Sequence, residues 1–216
     1  MANQSDDHAL GARARNAIWA SWAVITATVL MLATEIGQLL GLYDSFALSD
    51  GMATLLVGIG SFYTIAFVVS VILVAMWIHR AHANLNTHGI VGEFTPGWAV
   101  GWYFVPVANL FKPFQAMREL WNASFGQYDS YSAEAPGEVK AWWGAWIVGN
   151  IVSNVATRIT GMGDPAISGD VAQASVAALL SALSSILIIV AAVLLVRLIR
   201  AITQAQQGFD MAQVFA

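Results

Sequence analysis

Few residues in this chain have the type and spacing that chemistry requires. His79 and His82 lie three apart, and so on one helix face, with Arg80 between them and His88 beyond, the spacing of weak candidate metal ligands. No HExxH motif or repeated histidine box accompanies them, and uncoordinated histidines at a membrane surface are the favoured reading, so no metal or other cofactor is expected. Glu35 is a carboxylate inside an apolar run, where an ionisable side chain marks an ion or proton path or a structural pair. Arg158 is its expected partner, with contacts to Gln38 or Thr34, or a protonated carboxyl, as the local alternatives. Asn150, Asn154 and Arg158 recur every four residues, a polar stripe that serves either interhelical hydrogen bonds or the wall of a small cavity facing Glu35. Zero cysteines exclude a thiolate nucleophile, a thiolate metal site and disulfides. With no phosphate loop, nucleophile elbow or close carboxylate pair, no catalytic constellation is present and an enzyme is not expected.

The elements that must position these residues are membrane helices. Of 216 residues, 58% are hydrophobic and only 10% charged, under half the charge that keeps a soluble surface wet. A net charge of -4 with two lysines offers no basic stripe for nucleic acid. Runs at 17–40, 53–78 and 174–198 are long enough to cross about 30 Å of hydrocarbon, and 141–157 is read as a fourth, shorter span. Residues 1–16 and 201–216 are expected as cytoplasmic tails. Small residues on the spans, Gly37 with Gly41 and Ala174, Ala178 and Ala182, are expected to let helices approach closely.

The segment 96–111 is apolar but short and broken by Pro106. The placement of Lys and Arg decides whether it crosses. With four spans and an inner N-terminus, Arg13, Arg15, Arg80, Lys112, Arg118, Lys140, Arg197 and Arg200 fall inside and only Arg158 outside, whereas a fifth span erases the bias. The segment is therefore read as re-entrant or interfacial, and all nine tryptophans then gather in one leaflet as expected interface anchors. Residues 112–128 follow as an amphipathic helix, with Phe114, Met117, Trp121, Phe125 and Tyr128 on the face expected to lie in the inner interface.

The run HRAHANLNTHGIVGEFTPGWAVGWYFVPVANLFKPFQAMRELWNAS, followed by KAWWGAWIVGNIVSNVATRI, resembles the bacterial membrane family known as domain of unknown function 4328. The residues that carry the resemblance are Arg80, Asn84, Pro96, Trp98, Trp102, Pro106, Asn109, Pro113, Met117 and Trp121, then Trp142, Trp143, Asn150 and Asn154. It covers most of the chain after the first helix and implies a multi-span membrane architecture without an established reaction. The expected fold is thus an all-α integral membrane protein: a four-helix transmembrane bundle with a proline-broken segment and an inner-face helix, in a bacterial cytoplasmic membrane. The expected function is a non-enzymatic accessory or scaffold protein. Its inner-face platform of Trp98, Trp102, Phe114, Met117, Trp121 and Phe125 would dock a membrane protein or a specific lipid. A small carrier or channel with a path past Glu35, Asn150 and Asn154 is the alternative.

Overall fold

The computed structural model describes residues 2–43, 48–127, 129–161 and 171–214, and among these the chain is helical with no strand. The helices are α1 (Ala2–Leu39), α2 (Asp50–Thr87), α3 (Pro96–Gly101), α4 (Lys112–Ser124), α5 (Gly137–Gly161) and α6 (Val171–Val214), with single 3₁₀ turns at Trp102–Phe104 and Ala108–Leu110. Among the described residues three helices, α1, α2 and α6, are long and apolar enough to cross a membrane. They are also longer than a crossing needs. The 38 residues of α2 extend about 57 Å, nearly twice the hydrocarbon thickness. The expected tails 1–16 and 201–216 are correspondingly helical wherever the structure describes them, continuous with the spans. Tyr128 lies outside the described residues.

Local chemistry fixes where the helices stop. Ser49 and Thr95 cap α2 and α3, each accepting a backbone N–H three residues on, and Pro96 occupies the first turn of α3, where its missing N–H costs nothing. Gly41, with φ +68°, ends α1 in a Schellman motif: Leu42 N donates to Gly37 O and Gly41 N to Gln38 O. Gly89 and Gly126 close α2 and α4 in the same way. This corrects the reading of Gly37 and Gly41 as a helix-packing motif. Gly41 has no neighbouring atom within reach of a side chain, while Gly37 makes room for the Tyr43 ring, whose hydroxyl donates to Thr34 O at 2.8 Å.

The close approach sits instead between α5 and α6. A Cβ on Gly149 would stand 3.1 Å from Ile188 and 3.2 Å from Leu187, and Ser184 Oγ donates to Gly149 O at 2.9 Å. The helices α1, α2 and α5, α6 pack as neighbours, α1 also packs along α6, and Phe67 of α2 stacks on Trp146 of α5. Ala177 and Ala178 are buried on α6. Along the apolar runs large side chains face outward, among them Val57, Ile65 and Ile72 on α2 and Leu179 and Ile186 on α6. Exposed apolar faces of this kind suit lipid rather than water.

The main core lies at the other end of the helices. It gathers Leu10 and Ala14 of α1, Trp77, Ala81 and Leu85 of α2, Ala99 of α3, Met117 and Leu120 of α4, Val139 and Trp142 of α5, and Leu198 and Ile202 of α6. We call this the end layer. Two expectations change here. The helix α4 is not a flat amphipathic helix with an aromatic apolar face: it is buried along Pro113, Ala116, Met117, Leu120 and Ala123, while Phe125 is exposed and Trp121 half-buried. Nor do the tryptophans act together as interface anchors, because Trp77, Trp142 and Trp143 are buried in the core while Trp19 and Trp98 are exposed.

Candidate functional site

Polar side chains of the end layer converge around α4, and each pins a different segment. Glu119, 1% exposed, accepts from Glu93 N at 2.8 Å and Phe94 N at 3.1 Å, fixing the turn that leads into α3. One helical turn on, Asn122 donates to Ser130 O at 3.1 Å and Ala133 O at 3.3 Å, fixing the loop that leads into α5. Ser124 accepts from Gln206 Nε2 at 2.9 Å, which ties α4 to α6. Gln206, fully buried, also donates to Ala81 O and accepts from Asn84 Nδ2 at 3.1 Å, so that one amide joins α2, α4 and α6. Trp77 Nε1 donates to Thr203 Oγ1 at 3.1 Å, a second tie between α2 and α6. Buried polar groups must be paired or cost stability, and these are spent on backbone atoms and on one another.

Burial pushes the Glu119 carboxyl above its ordinary 4.5, against the pull of the Phe94 and Glu93 N–H donors. The unfolded chain releases this proton near 4.5 while the folded chain holds it to higher pH. The contribution is therefore complete below 4.5 and is lost as pH rises through the elevated folded value. We predict that the melting temperature of the detergent-solubilised protein falls across that window and that Glu119→Gln flattens the fall. An equal slope in both proteins rules out Glu119 as its source.

Sequence reasoning passed over Glu119, Asn122 and Gln206. Glu119 and Asn122 lie off the aromatic face expected to meet the interface, but the small residues Ala116 and Ala123 beside Leu120 mark the side that faces protein. Gln206 lay in an expected tail, yet Leu198, Ile199, Ile202, Thr203 and Gln206 keep helical periodicity past the span.

The residues singled out in advance are mostly not brought together. His82 is buried with Nδ1 on Ile78 O at 3.0 Å, His79 is exposed, and His88 sits at the helix end with Nδ1 2.9 Å from Asn84 O and its ring against Phe209. Among the described residues no three His, Asp or Glu side chains form a metal-binding group. Glu35 takes Ser185 of α6 as its partner, at 3.2 Å, in place of the expected Arg158, which is exposed on α5. The polar stripe satisfies itself along α5: Asn150 Nδ2 donates to Trp146 O at 2.7 Å and Asn154 Nδ2 to Asn150 O at 2.8 Å. Among the described residues neither amide makes a hydrogen bond to another helix.

A family model for a domain of unknown function, DUF4328, matches residues 43–204. The chain belongs to the DUF4328 family. Neither a curated protein nor a solved structure matches it significantly. The DUF4328 match takes in α2 to α5, including Glu119 and Asn122, and stops two residues short of Gln206.

Within the DUF4328 region, the motif residues expected to form one platform divide between core and surface. Asn84, Pro113 and Met117 are buried, Arg80, Asn109, Trp102 and Trp121 are half-buried, and Trp98 and Pro106 are exposed. The proline-broken segment returns to the end layer: Ala99 is buried in the core there, and Leu110 O accepts from Trp143 Nε1 at 3.0 Å. Such a bond supplies the protein partner that non-helical backbone needs away from water. Lys112 lies over the Phe94 and Trp102 rings, 5.6 and 5.8 Å from their centroids.

At the tip of this segment Val107 has φ 66° and ψ -49°, and Ala108 N donates to Pro106 O at 2.8 Å, the geometry of a strained γ-turn. A β-branched residue is disfavoured there. Phe104, Val107, Leu110 and Phe111 all stand exposed around it. Val107→Gly is expected to raise stability by about 1 kcal/mol, as relief of strain outweighs the added chain entropy. A loss of stability in equilibrium unfolding would show that the turn carries no strain.

Proposed function

We propose that this DUF4328 protein is a non-enzymatic accessory protein of a bacterial cytoplasmic membrane, whose end layer docks a second membrane protein. The observation that carries this reading is the exposed apolar rim of Trp98, Phe104, Val107 and Phe111, held on a layer in which Glu119, Asn122 and Ser124 are bound to backbone atoms or to Gln206. Catalysis needs groups aimed at a substrate, whereas Glu119 and Asn122 face backbone atoms. The carrier reading gains no connected path from these residues: Glu35 is bonded by Ser185 at one carboxylate oxygen, its other oxygen being buried without a hydrogen bond, and Asn150 and Asn154 donate to the backbone of α5.

We infer that α5 is a fourth span. It packs along α6 through Gly149 and Ser184 and presents Val148, Ile151 and Val155 outward, and its 25 residues reach about 37 Å. Four spans leave both termini on the cytoplasmic side with the end layer, where all lysines and all arginines but Arg158 are gathered.

Two measurements test the reading. In intact cells, Ser130→Cys should resist an impermeant thiol reagent and Ser45→Cys should react, while reaction at both refutes the topology. Alanine at Trp98, Phe104 and Phe111 together should leave the protein inserted but release the membrane protein that co-purifies with it in mild detergent. If that partner is retained, the rim is only an anchor.

A further inference from the structure

A cavity of about 550 Å³ opens between α1 and α6 on the flank of the end layer. Its walls carry Arg15, Trp19 and Trp22 from α1 and Arg200, Gln204 and Gln207 from α6. Each trio has spacing of i, i+4 and i+7, so the two antiparallel helices present matching stripes to one space. Gly11 keeps the wall open, since a Cβ there would stand 3.0 Å from Gln207 Nε2.

The charges in this cavity are what distinguish it. Four arginines belong to α1 and α6 at this end, and two have partners elsewhere: Arg13 Nη1 donates to Met76 O, and Arg197 pairs with Glu138 at 3.8 Å. The other two, Arg15 and Arg200, make no hydrogen bond or ion pair among the described residues, and both face the cavity. Among the described residues no carboxylate lines it. Two guanidiniums on opposite walls, flanked by amide donors, match the oxygens of a phosphate. The indoles add the depth: Trp19, 70% exposed, and Trp22, 41% exposed, begin the apolar run of α1, where tryptophan marks the headgroup level.

We propose that this cavity binds the phosphate headgroup of an anionic membrane lipid. Arg15 and Arg200 clamp the phosphate from two sides, Gln204 and Gln207 donate to the remaining oxygens, and the glycerol and first acyl carbons lie against Trp19 and Trp22. Basic pockets between membrane helices on the cytoplasmic side recognise anionic headgroups through this chemistry. The site rests on the membrane reading but not on partner docking, which uses the α3 side of the end layer.

The test uses the full-length protein in mild detergent, offered an equimolar mixture of phosphatidylglycerol and phosphatidylcholine and examined by native mass spectrometry. Each arginine near an anionic headgroup is worth about five-fold in affinity, so the wild type should favour phosphatidylglycerol by about 25-fold. R15Q/R200Q should bring the ratio to parity, while R15K/R200K, which keeps both charges, should retain most of the preference. R197Q removes one charge from the same helix end but outside the cavity and should leave the ratio unchanged. The proposal is overturned if R15Q/R200Q keeps the wild-type ratio or if R197Q loses as much. Displacement of the lipid by millimolar inorganic phosphate would overturn it too, in favour of a soluble phosphate ligand.

Discussion

Replacing Trp77 with alanine should cost the folded protein about 4 kcal/mol, the largest loss expected from any single truncation here. The indole is fully buried, so its removal opens a cavity in the cluster where α1, α2 and α6 meet beyond their apolar runs. It also strands Thr203, whose hydroxyl oxygen accepts the indole N–H. Trp77→Phe separates the two contributions, because it restores most of the volume without the donor and should recover more than half of the loss. Equilibrium unfolding in mixed micelles measures both variants. A cost below about 1.5 kcal/mol for the alanine variant would mean that the end layer can collapse around the gap, contrary to close packing.

Gly92→Ala should cost about 3 kcal/mol, although position 92 looks like an ordinary loop glycine. A Cβ there would overlap Glu119 Oε1, so the carboxylate must move. Moving it breaks the bonds from the Glu93 and Phe94 amides and releases the turn that sets α3. The effect should reach the exposed apolar rim: hydrogen exchange at Trp98 to Trp102 should rise in this variant with that of α5 unchanged. Exchange that rises uniformly would indicate general unfolding rather than a freed α3. The contrast with Gly51, where a Cβ meets nothing, provides a control of the same substitution.

The three apolar helices were legible because membrane insertion imposes a composition that no other constraint produces; α2 and α6 contain the runs read from sequence, and α1 ends one residue short of its run. The family was legible from the spacing of Trp, Pro and Asn between Arg80 and Asn154, and the family match covers that stretch. What sequence left hidden is the end layer. The rule that ends a helix where its apolar run ends failed at α2 and α6, because protein packing takes over from lipid at Trp77 and Leu198 without a break in periodicity. On α4, large aromatics drew attention to Phe114 and Trp121, whereas a crowded contact prefers the small side chains of Ala116 and Ala123. The Glu35 partner was misassigned for a related reason: height along a helix is readable from sequence, but which neighbour stands at that height is not, and α1 packs along α6, so Ser185 is at hand. Gly37 and Gly41 carry a spacing that serves two purposes, and only the left-handed backbone at Gly41 tells a terminus from a contact.

The uninterrupted passage of α1, α2 and α6 from the apolar region into the end layer makes the molecule a set of levers. No hinge separates the two zones: α6 runs 44 residues without a proline or a described break, about 66 Å from end to end. At that length a tilt of about 10° swings one tip by about 11 Å relative to the other. Membrane helices tilt as bilayer thickness changes. Because Gln206 bolts α2, α4 and α6 together, and Glu119 holds the lead into α3, the end layer must follow such a swing as one piece. The exposed apolar rim of Trp98, Phe104, Val107 and Phe111 is thereby geared to the thickness of the bilayer around it.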